Sequence, residues 1–479
     1  EMSRALDGLR VQPVQFAGRT MPLEVMSRML LSDLTGKEDL YHLAPKELAS
    51  HDALLTLLSL VAEPEKWRDV PLFEVGYRPL RAVFGKDKPE RISFAQAAVL
   101  SADREYHKHL KGDPRMINAL RRLLSRVQEL EALDVHLNLL PPPEGRGPWL
   151  SIRDVDKLPA EHAESIRSAY AALLDAFRER NAPKLKTASD ELIEAIGRLA
   201  GPHGLSTSRT RLEVLFVRWH PFRLTAWLYV VPLLLAIAHF VTPRPALRVV
   251  GTITLVGAFL FHTLSLAGRS FIAGRLPLAN TYEYSVMMVW ATVLMAFLFE
   301  QHYRTGVFVF LGGLLGWGSL VLADVAPVGR AITPLLPALR SAWLQYHVLT
   351  IFIGYAAFLL AFSVSVYYLV TFRHRCHDGR DELLHANDVL VRIGFLFLTF
   401  GIVTGCIWAN LAWGRYWGWD PKEVWALLTW FVYVIYLHLP FAGWKRSWTG
   451  PVASCVGFSF VVFTYLGVTY LLSGLHSYG

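Results

Sequence analysis

The segment with the clearest chemical content runs from 408 to 425 and reads WANLAWGRYWGWDPKEVW. It concentrates five tryptophans, at Trp408, Trp413, Trp417, Trp419 and Trp425. Tryptophan is common wherever a protein meets the lipid headgroups, but such a belt needs no Gly, Asp, Lys or Glu at fixed positions. Gly414 and Gly418 permit close backbone approach. The pattern therefore favours a flat aromatic platform for a planar macrocycle over a lipid anchor.

The end of this segment carries the signals of a helix N-terminus. Asp420 is a good N-cap, Pro421 suits the first helical position, and Glu423 stands where a capping box has its acid. We expect a helix to begin at Pro421. Asp420 would then fix how the tryptophans before it are held.

Two histidines flank the Trp-rich segment. His347 stands at the start of an apolar run, and His476 stands just beyond the last one. Each alone could be a solvated boundary residue. Imidazole is a good axial ligand for haem iron, so the two together predict a pair of ligands on the Trp-rich side.

Other histidines lie inside predicted spans, where an ionisable residue is a functional candidate. His438 is about fifteen residues into its span, hence about 22 Å from the Trp-rich face. His239 lies at similar depth in the first span, which permits pairing with His438 but does not establish it. His262 lies in the second span, where packing is the favoured interpretation.

The elements that must position these residues are apolar runs long enough to cross a membrane as helices. They predict a mainly α, polytopic membrane protein with eight spans, at about 224–241, 249–267, 285–300, 307–323, 345–371, 389–407, 424–440 and 453–472. An even number of spans puts the N-terminal region and the C-terminal tail on one side. Lys and Arg flanking the spans number eight on each side, so the positive-inside rule leaves the orientation open.

Residues 1–220, unlike residues 221–479, are rich in charged side chains. This composition predicts a soluble, largely helical domain. Amphipathic patterns predict helices at about 45–61, 117–133, 161–180 and 185–199. The stretch LLPPPEGRG at 139–147 predicts a subdomain boundary, although a long surface loop within one domain fits equally well.

Composition excludes several classes of protein. The net charge is +8, but no block of Lys and Arg marks a nucleic-acid partner. The three cysteines form no CxxC, which argues against a thiol relay, and without CxxCH the chain is not itself a c-type cytochrome. The polar start, with Glu at position 1, is compatible with a processed or truncated piece of a longer protein.

The run WGRYWGWDPKEVW resembles the WWD signature of a haem-handling family. That family includes CcsA, also called ResC, of the System II cytochrome c synthase, and CcmC and CcmF of System I. RLPLANTYEYSVMMVW, from Arg275 to Trp290, and GLHSYG, from Gly474 to Gly479, resemble CcsA more particularly. The likeness covers roughly residues 224–479.

The resemblance implies a role in cytochrome c biogenesis as a holocytochrome c synthase type of enzyme. Haem b, as substrate, would cross the membrane and be presented on the outer face, its iron held by His347 and His476. His438 would belong to a second haem site within the membrane, with His239 as a possible neighbour. The binding surface would comprise Trp408, Trp413, Trp417, Trp419 and Asp420. Arg415 and Lys422 are the nearest cations for the propionates, although each could equally be a residue that extends to the membrane interface.

The same resemblance implies a location and partners. The Trp-rich loop and residues 1–220 would lie on the periplasmic side of a bacterial inner membrane. The partners would be apocytochrome c, through its CxxCH segment, and a CcsB-like (ResB-like) subunit or a missing fused segment. Two alternatives stay open: a haem exporter or chaperone without ligase activity, like CcmC, and a cytochrome b-like electron-transfer subunit. A cytochrome b-like subunit usually has several histidines at helical spacing within one span. Here the first, second, fifth and seventh spans have only one histidine each.

Overall fold

The computed structural model describes residues 1–84, 89–102, 113–133, 137–142, 147–201, 207–326, 329–335, 340–371, 380–443, 448–472 and 474. The chain divides into two compact units, Glu1–Arg218 and Trp219–Gly479. Each is described by itself below.

The first unit is mainly helical. Its helices are α1 (Met2–Ala5), α2 (Asp7–Arg10), α3 (Leu23–Thr35), α4 (Ala53–Ala62), α5 (Pro64–Trp67), α6 (Arg78–Arg81), α7 (Phe94–Ala102), α8 (Pro114–Glu131), α9 (Ala160–Arg178), α10 (Ala182–Ala200) and α11 (Thr207–Trp219), the last of which ends at the boundary with the second unit. Short 3₁₀ turns occupy Ala82–Phe84 and Ile152–Lys157. Two antiparallel hairpins pair β1 (Pro13–Phe16) with β2 (Arg19–Pro22) and β3 (Phe73–Glu74) with β4 (Arg91–Ile92).

One apolar cluster forms the core of this unit. The antiparallel pair α9 and α10 contributes Ile166, Phe177 and Leu192, all buried. Leu137 and Ile152, from either side of 139–147, belong to the same cluster, and the backbones of Leu140 and Leu150 are paired. Residues on both sides of 139–147 therefore contribute to one core cluster.

A buried ion cluster joins α2, α3 and the N-terminus of α4. The Arg10 guanidinium donates to Glu24 at 2.5 Å and to Asp52 at 2.9 Å. Burial opposes ionisation of the Asp52 carboxyl, but the hydrogen bonds and charge of Arg10 outweigh it and lower the pKa of Asp52. Asp52 also caps α4 by accepting from Leu54 and Leu55. The cluster thus fixes how three helices meet.

The second unit is a bundle of long apolar helices: α12 (Pro221–Val241), α13 (Pro245–Ala273), α14 (Thr281–Tyr303), α15 (Val307–Val325), α16 (Ala342–Thr371), α17 (Arg380–Trp413), α18 (Pro421–His438), α19 (Thr449–Val462) and α20 (Val468–Leu471). A π-helical turn, Phe463–Gly467, joins the last two into one rod. Seven described helices are long and apolar enough to cross a membrane, counting α19 to α20 as one. The remaining predicted span, the seventh at about 424–440, corresponds to α18, whose 18 residues reach about 27 Å. The polytopic helical fold expected from the sequence is confirmed.

The expected bounds of the Trp-rich loop were wrong at its start. The sequence placed 408–425 between two helices, but α17 continues to Trp413. Trp408 and Trp413 therefore project from a helix, and the irregular segment is only 414–420. Residues 407–413 contain no Gly or Pro and are apolar or alanine except for Asn410, so the helix ends only where Gly414 takes a positive φ of 75°.

Glycines allow α16 and α17 to pack closely. A Cβ on Gly354 would lie 3.1 Å from the Gly394 carbonyl oxygen, and one on Gly394 would lie 2.5 Å from the Phe358 ring. Small residues at such a contact let two membrane helices approach backbone to backbone. This helix pair carries His347 on one member and Trp408 on the other, so its close packing sets their separation.

Candidate functional site

A cavity opens at the end of the bundle where α14, α16 and α18 begin and α17 and α20 end. Its space is about 180 Å³, whereas one water molecule needs only about 10 to 15 Å³, so it is suited to a larger ligand. The lining is mostly aromatic and aliphatic and includes His347, Phe352, Trp408, Trp417, Lys422 and Tyr465. Sequence reasoning placed three of these, His347, Trp408 and Trp417, in one site, and the structure brings them together.

His347 is held in one orientation by the neighbouring helix. Its Nδ1 lies 2.7 Å from the carbonyl oxygen of Gly401, and a carbonyl only accepts, so Nδ1 carries the proton. The lone pair of the neutral ring is then on Nε2. A hydrogen bond of this kind from the other ring nitrogen is the usual support for a metal-ligating histidine.

Gly405, one helical turn beyond Gly401, makes room for this ring. A Cβ on Gly405 would lie 2.7 Å from the Cε1 and Nδ1 atoms of His347. The Trp408 ring, which is only 2% exposed, lies nearly parallel to the imidazole, with an interplanar angle of 9° and a centroid distance of 6.1 Å. One face of α17 therefore supplies the carbonyl, the space and the aromatic wall for His347.

The tryptophans form walls and not a flat platform. Trp413 meets Trp408 edge to face, with centroids 4.7 Å apart and planes at 65°. Trp417 and Trp419 are nearly perpendicular, at 89°. Trp417 lines the cavity, whereas Trp419 is 73% exposed. The expectation of a flat platform was wrong, because Trp408 and Trp413 are fixed on a helix whereas Trp417 and Trp419 lie in the turn after it.

The turn between α17 and α18 is built around Glu423. Its carboxylate accepts from the backbone N–H of Gly418 at 2.8 Å and of Asp420 at 3.1 Å. The Asp420 carboxylate accepts in return from the backbone N–H of Glu423, which confirms the predicted capping box, and also from that of Lys422 at 3.1 Å. Trp419, which lies between Gly418 and Asp420, has a φ of 56°, a left-handed conformation that is uncommon for a bulky residue.

Two cations near the cavity differ in where they lie. Lys422 lines the cavity, and its Nζ donates to Thr469 Oγ1 at 3.0 Å. Arg415 is exposed and folds over the backbone of Gly418, where a Cβ would lie 2.5 Å from its Cζ. Lys422 is thus the better placed of the two for a carboxylate in the cavity.

The last helical rod closes one side of the cavity with an irregular turn. The π-helical residues Thr464 and Tyr465 both line the cavity, and Thr464 Oγ1 lies 3.2 Å from the Trp425 carbonyl oxygen. Single π-turns in membrane and soluble helices frequently occur at functional sites. Beyond α20, a Cβ on Gly474 would lie 2.6 Å from Asp420 Oδ1, so the chain there runs against the start of α18. His476 itself lies outside the described residues.

The other predicted histidines lie away from this cavity. His438 is exposed, and its Nδ1 is 2.7 Å from the Val434 carbonyl oxygen of its own helix. His239 Nδ1 is 3.1 Å from the Arg244 carbonyl oxygen. The helix α12 packs on α13 and α15, whereas α18 packs on α17 and α19, so the two histidines are on helices with different neighbours. His262 is buried beside Tyr229, whose hydroxyl is 3.1 Å from its Nδ1, in line with a packing role.

Sequence reasoning missed a buried ion cluster next to the cavity. Glu283 is 0% exposed and is paired with Arg269 and Arg275, each at 2.8 Å. These residues lie in or beside the segment from Arg275 to Trp290 that carried part of the resemblance, but no role was assigned to them. A Glu three residues after Asn280, which caps α14, was the available signal.

The fold and the cavity together define a polytopic helical membrane protein with an imidazole, several tryptophans and an ammonium group converging at one end of the bundle. The protein family described as Cytochrome C assembly protein matches residues 278–476. CcsA of Parasynechococcus marenigrum is 34% identical over 258 residues, covering 46% of this chain and 84% of that protein. CcsA of Chlamydomonas reinhardtii is 39% identical over 232 residues, 46% of this chain and 65% of that protein.

The chain belongs to the CcsA family of cytochrome c biogenesis proteins. Protein NrfI of Wolinella succinogenes is similar along the whole chain, with 29% identity over 515 aligned positions that cover 100% of this chain and 54% of NrfI. The chain therefore spans about half the length of that relative. A solved structure titled Cytochrome c Heme Lyase CcmF aligns with a TM-score of 0.41 and 15% identity over 51% of this chain and 45% of the other.

Proposed function

We propose that the chain handles haem in cytochrome c biogenesis, holding haem b in the cavity at the Trp-rich end for thioether attachment to the CxxCH segment of an apocytochrome c. The observation that carries the proposal is the state of His347. Its Nδ1 proton is committed to the Gly401 carbonyl, so the lone pair is on Nε2, and the ring stands in an aromatic cavity. That arrangement suits an axial ligand of haem iron.

The other residues of the cavity would complete the binding site. Trp408 and Trp417 would contact the macrocycle and exclude water, with Trp413 buttressing Trp408 from behind. Lys422, and at the rim Arg415, would meet the propionates. Trp419 and Asp420 belong to the turn that holds Trp417 in place.

His476 would be the second axial ligand. The family resemblance assigns it, and the contact of Gly474 with Asp420 supports it, because Gly474 precedes His476 by two residues and lies against the turn that borders the cavity.

The contribution of this protein to the reaction would be to position the haem and the apocytochrome. Each cysteine thiol of the apocytochrome would add across a vinyl group, forming a carbon–sulfur bond and placing a proton on the neighbouring carbon, with no net oxidation. The thiolate is the reactive form, so the substrate cysteines must be reduced. The histidine of CxxCH would replace one protein imidazole, which couples release to product formation. Holding both reactants in register converts a bimolecular step into an effectively unimolecular one.

A second site would lie toward the other end of the bundle. We propose that haem enters near His438 and passes to His347, with the Trp-rich end and residues 1–220 in the periplasm of a bacterium. His239 is at similar depth but rests on other helices, so the second ligand at His438 would come from a CcsB-like partner. The exposure of His438 supports this, since its ring is accessible to another chain.

Co-expression with an apocytochrome that carries CxxCH tests the proposal, with covalent haem scored on a denaturing gel. We expect covalent product with the wild type, together with its partner subunit if one is required, and its loss in His347→Ala. His302→Ala is the matched control, because His302 is an exposed histidine at the opposite end of α14. Equal product from His347→Ala and the control would reject the proposal. Haem that copurifies without ever yielding covalent product would instead favour a haem exporter.

A further inference from the structure

We infer that Glu283 is a positioning residue for the haem cavity: it ties loop 274–280, which adjoins the cavity wall, to residues 330–333, which precede the helix that carries His347. The inference rests on the proposed function, since the cavity must bind haem for the role to matter. Glu283 itself touches neither the cavity nor His347 and would act through the residues around it.

The Glu283 carboxylate is saturated by donors. Oε1 accepts from Arg269 Nε at 3.0 Å and Nη2 at 2.8 Å, and Oε2 accepts from Arg275 Nη1 at 2.8 Å and from the Ala279 N–H at 2.8 Å. Arg269 and Arg275 are themselves buried or nearly so. A buried cluster of this kind holds a single geometry, because removing one partner leaves unpaired charge in a low-dielectric environment.

The same two arginines bind the loop that leads into α16. Arg269 donates to the Arg330 carbonyl at 3.0 Å, and Arg275 donates to the Thr333 carbonyl at 2.9 Å. The Asn280 side chain adds a third bond, to the Ala331 carbonyl at 3.3 Å. Through these bonds one carboxylate fixes both loop 274–280 and residues 330–333, and the latter lie shortly before His347.

Loop 274–280 and the start of α14 in turn form part of the cavity. Ala279, Thr281 and Tyr284 line it, and the Tyr284 ring lies 5.2 Å from that of Phe352. Leu278 belongs to the same buried cluster as Trp408. A shift of Glu283 would therefore move the aromatic wall and the helix start that carries the proposed iron ligand.

The same helix offers a matched control. Glu300 is 1% exposed at the other end of α14, where it accepts from the Gly306 N–H at 3.0 Å and lies 3.5 Å from Arg248. It is 17 residues from Glu283, hence about 25 Å away along the helix. Both are buried carboxylates that tie loops through backbone N–H groups and arginine, but only Glu283 adjoins the cavity.

The experiment compares Glu283→Gln, Glu283→Asp and Glu300→Gln in a His438→Ala background, so that haem titration reports the cavity at the Trp-rich end. We expect Glu283→Gln to weaken haem binding about 10-fold to 100-fold, as losses of supporting groups do at metal sites, and to shift the absorption spectrum and reduction potential of bound haem. Glu283→Asp, which keeps the charge, should recover part of the affinity. Glu300→Gln should leave affinity, spectrum and potential unchanged.

Arg275→Gln keeps the experiment decisive if Glu283→Gln does not fold, because it leaves the Glu283–Arg269 pair charge-balanced while removing the bond to Thr333. It should shift the spectrum in the same direction by a smaller amount. The inference would be overturned if the Glu283 or Arg275 variant that folds had the same haem affinity and the same spectrum as the parent protein. An equal effect of Glu300→Gln would overturn it as well. Failure of the parent protein to bind haem at all would instead reject the proposed function.

Discussion

The two ends of the membrane unit present histidines in different ways. At the Trp-rich end, His347 donates from Nδ1 to a carbonyl on the neighbouring helix, and Gly405 leaves space for its ring. At the opposite end, His438 bonds to a carbonyl of its own helix and is exposed. The first histidine is oriented by a hydrogen bond to a neighbouring helix, whereas the second bonds within its own helix and lies beside Phe441, just after that helix.

This difference shows how a pre-organised ligand site differs from a single histidine in a membrane helix. A bond across helices is made only when both helices are packed correctly, so it fixes the ring relative to the cavity. A bond within a helix leaves the ring wherever the helix happens to face. We infer that the Trp-rich end is pre-organised by this chain alone and that the opposite end is completed by a partner.

The largest effect should come from removing the wall beside His347. Trp408→Ala should lower the free energy of unfolding by about 3 to 5 kcal/mol, because it empties a buried indole site against His347 and Trp413. Thermal unfolding in detergent would measure the loss. Trp419→Ala is the control, since Trp419 is largely exposed, and equal destabilisation by the two would break the contrast between wall and turn.

A smaller effect should follow from closing the space behind His347. Gly405→Ala should cost about 1 to 3 kcal/mol and weaken haem binding, because its Cβ would lie 2.7 Å from the imidazole. Gly257→Ala, in another membrane helix with open space around it, should change neither. Unchanged haem affinity in Gly405→Ala would show that the ring can move without consequence.

At the opposite end, His438→Ala should change stability by less than about 0.5 kcal/mol, as expected for an exposed side chain. It should nevertheless reduce the haem that copurifies from cells, if this end receives haem first. Extraction and quantification of haem from equal amounts of folded protein would measure this. Undiminished haem would remove the second site from the proposed route.

Trp419→Gly should cause no loss of stability at all. The left-handed φ of 56° costs a bulky residue free energy that glycine does not pay, so the change should be neutral or stabilising by up to about 1 kcal/mol. Denaturant midpoints would report it. A clear loss of stability would mean that the exposed indole makes contacts beyond its approach to Trp417.

Periodicity and capping signals were enough to predict the membrane helices from the sequence. Apolar runs predicted the long helices to within a few residues with two exceptions. The helix α13 ends at Ala273 and not near 267. The helix α17 is longer at both ends, because its polar N-terminal turn and aromatic C-terminal turn lie outside an apolar window. The capping box at Asp420 was predicted because it depends on residues three apart in one turn. These are local patterns, readable from neighbouring residues.

The contacts between distant segments could not be predicted from the sequence. The bond from His347 to Gly401 joins residues 54 apart, and Glu283 reaches arginines whose partners lie in a separate loop. Nothing in local spacing predicts such pairs. The orientation of the tryptophan rings was likewise mispredicted, because it depends on where α17 ends and on the turn around Glu423.

The most direct test of the account is a haem titration of the purified protein and of His347→Ala, followed by absorption, both carrying His438→Ala. The account predicts that the parent protein shows a spectrum with imidazole on the iron, that His347→Ala loses this spectrum and much of its affinity, and that added imidazole restores the spectrum by filling the space left by the side chain. Identical spectra and affinities with and without His347 would contradict it.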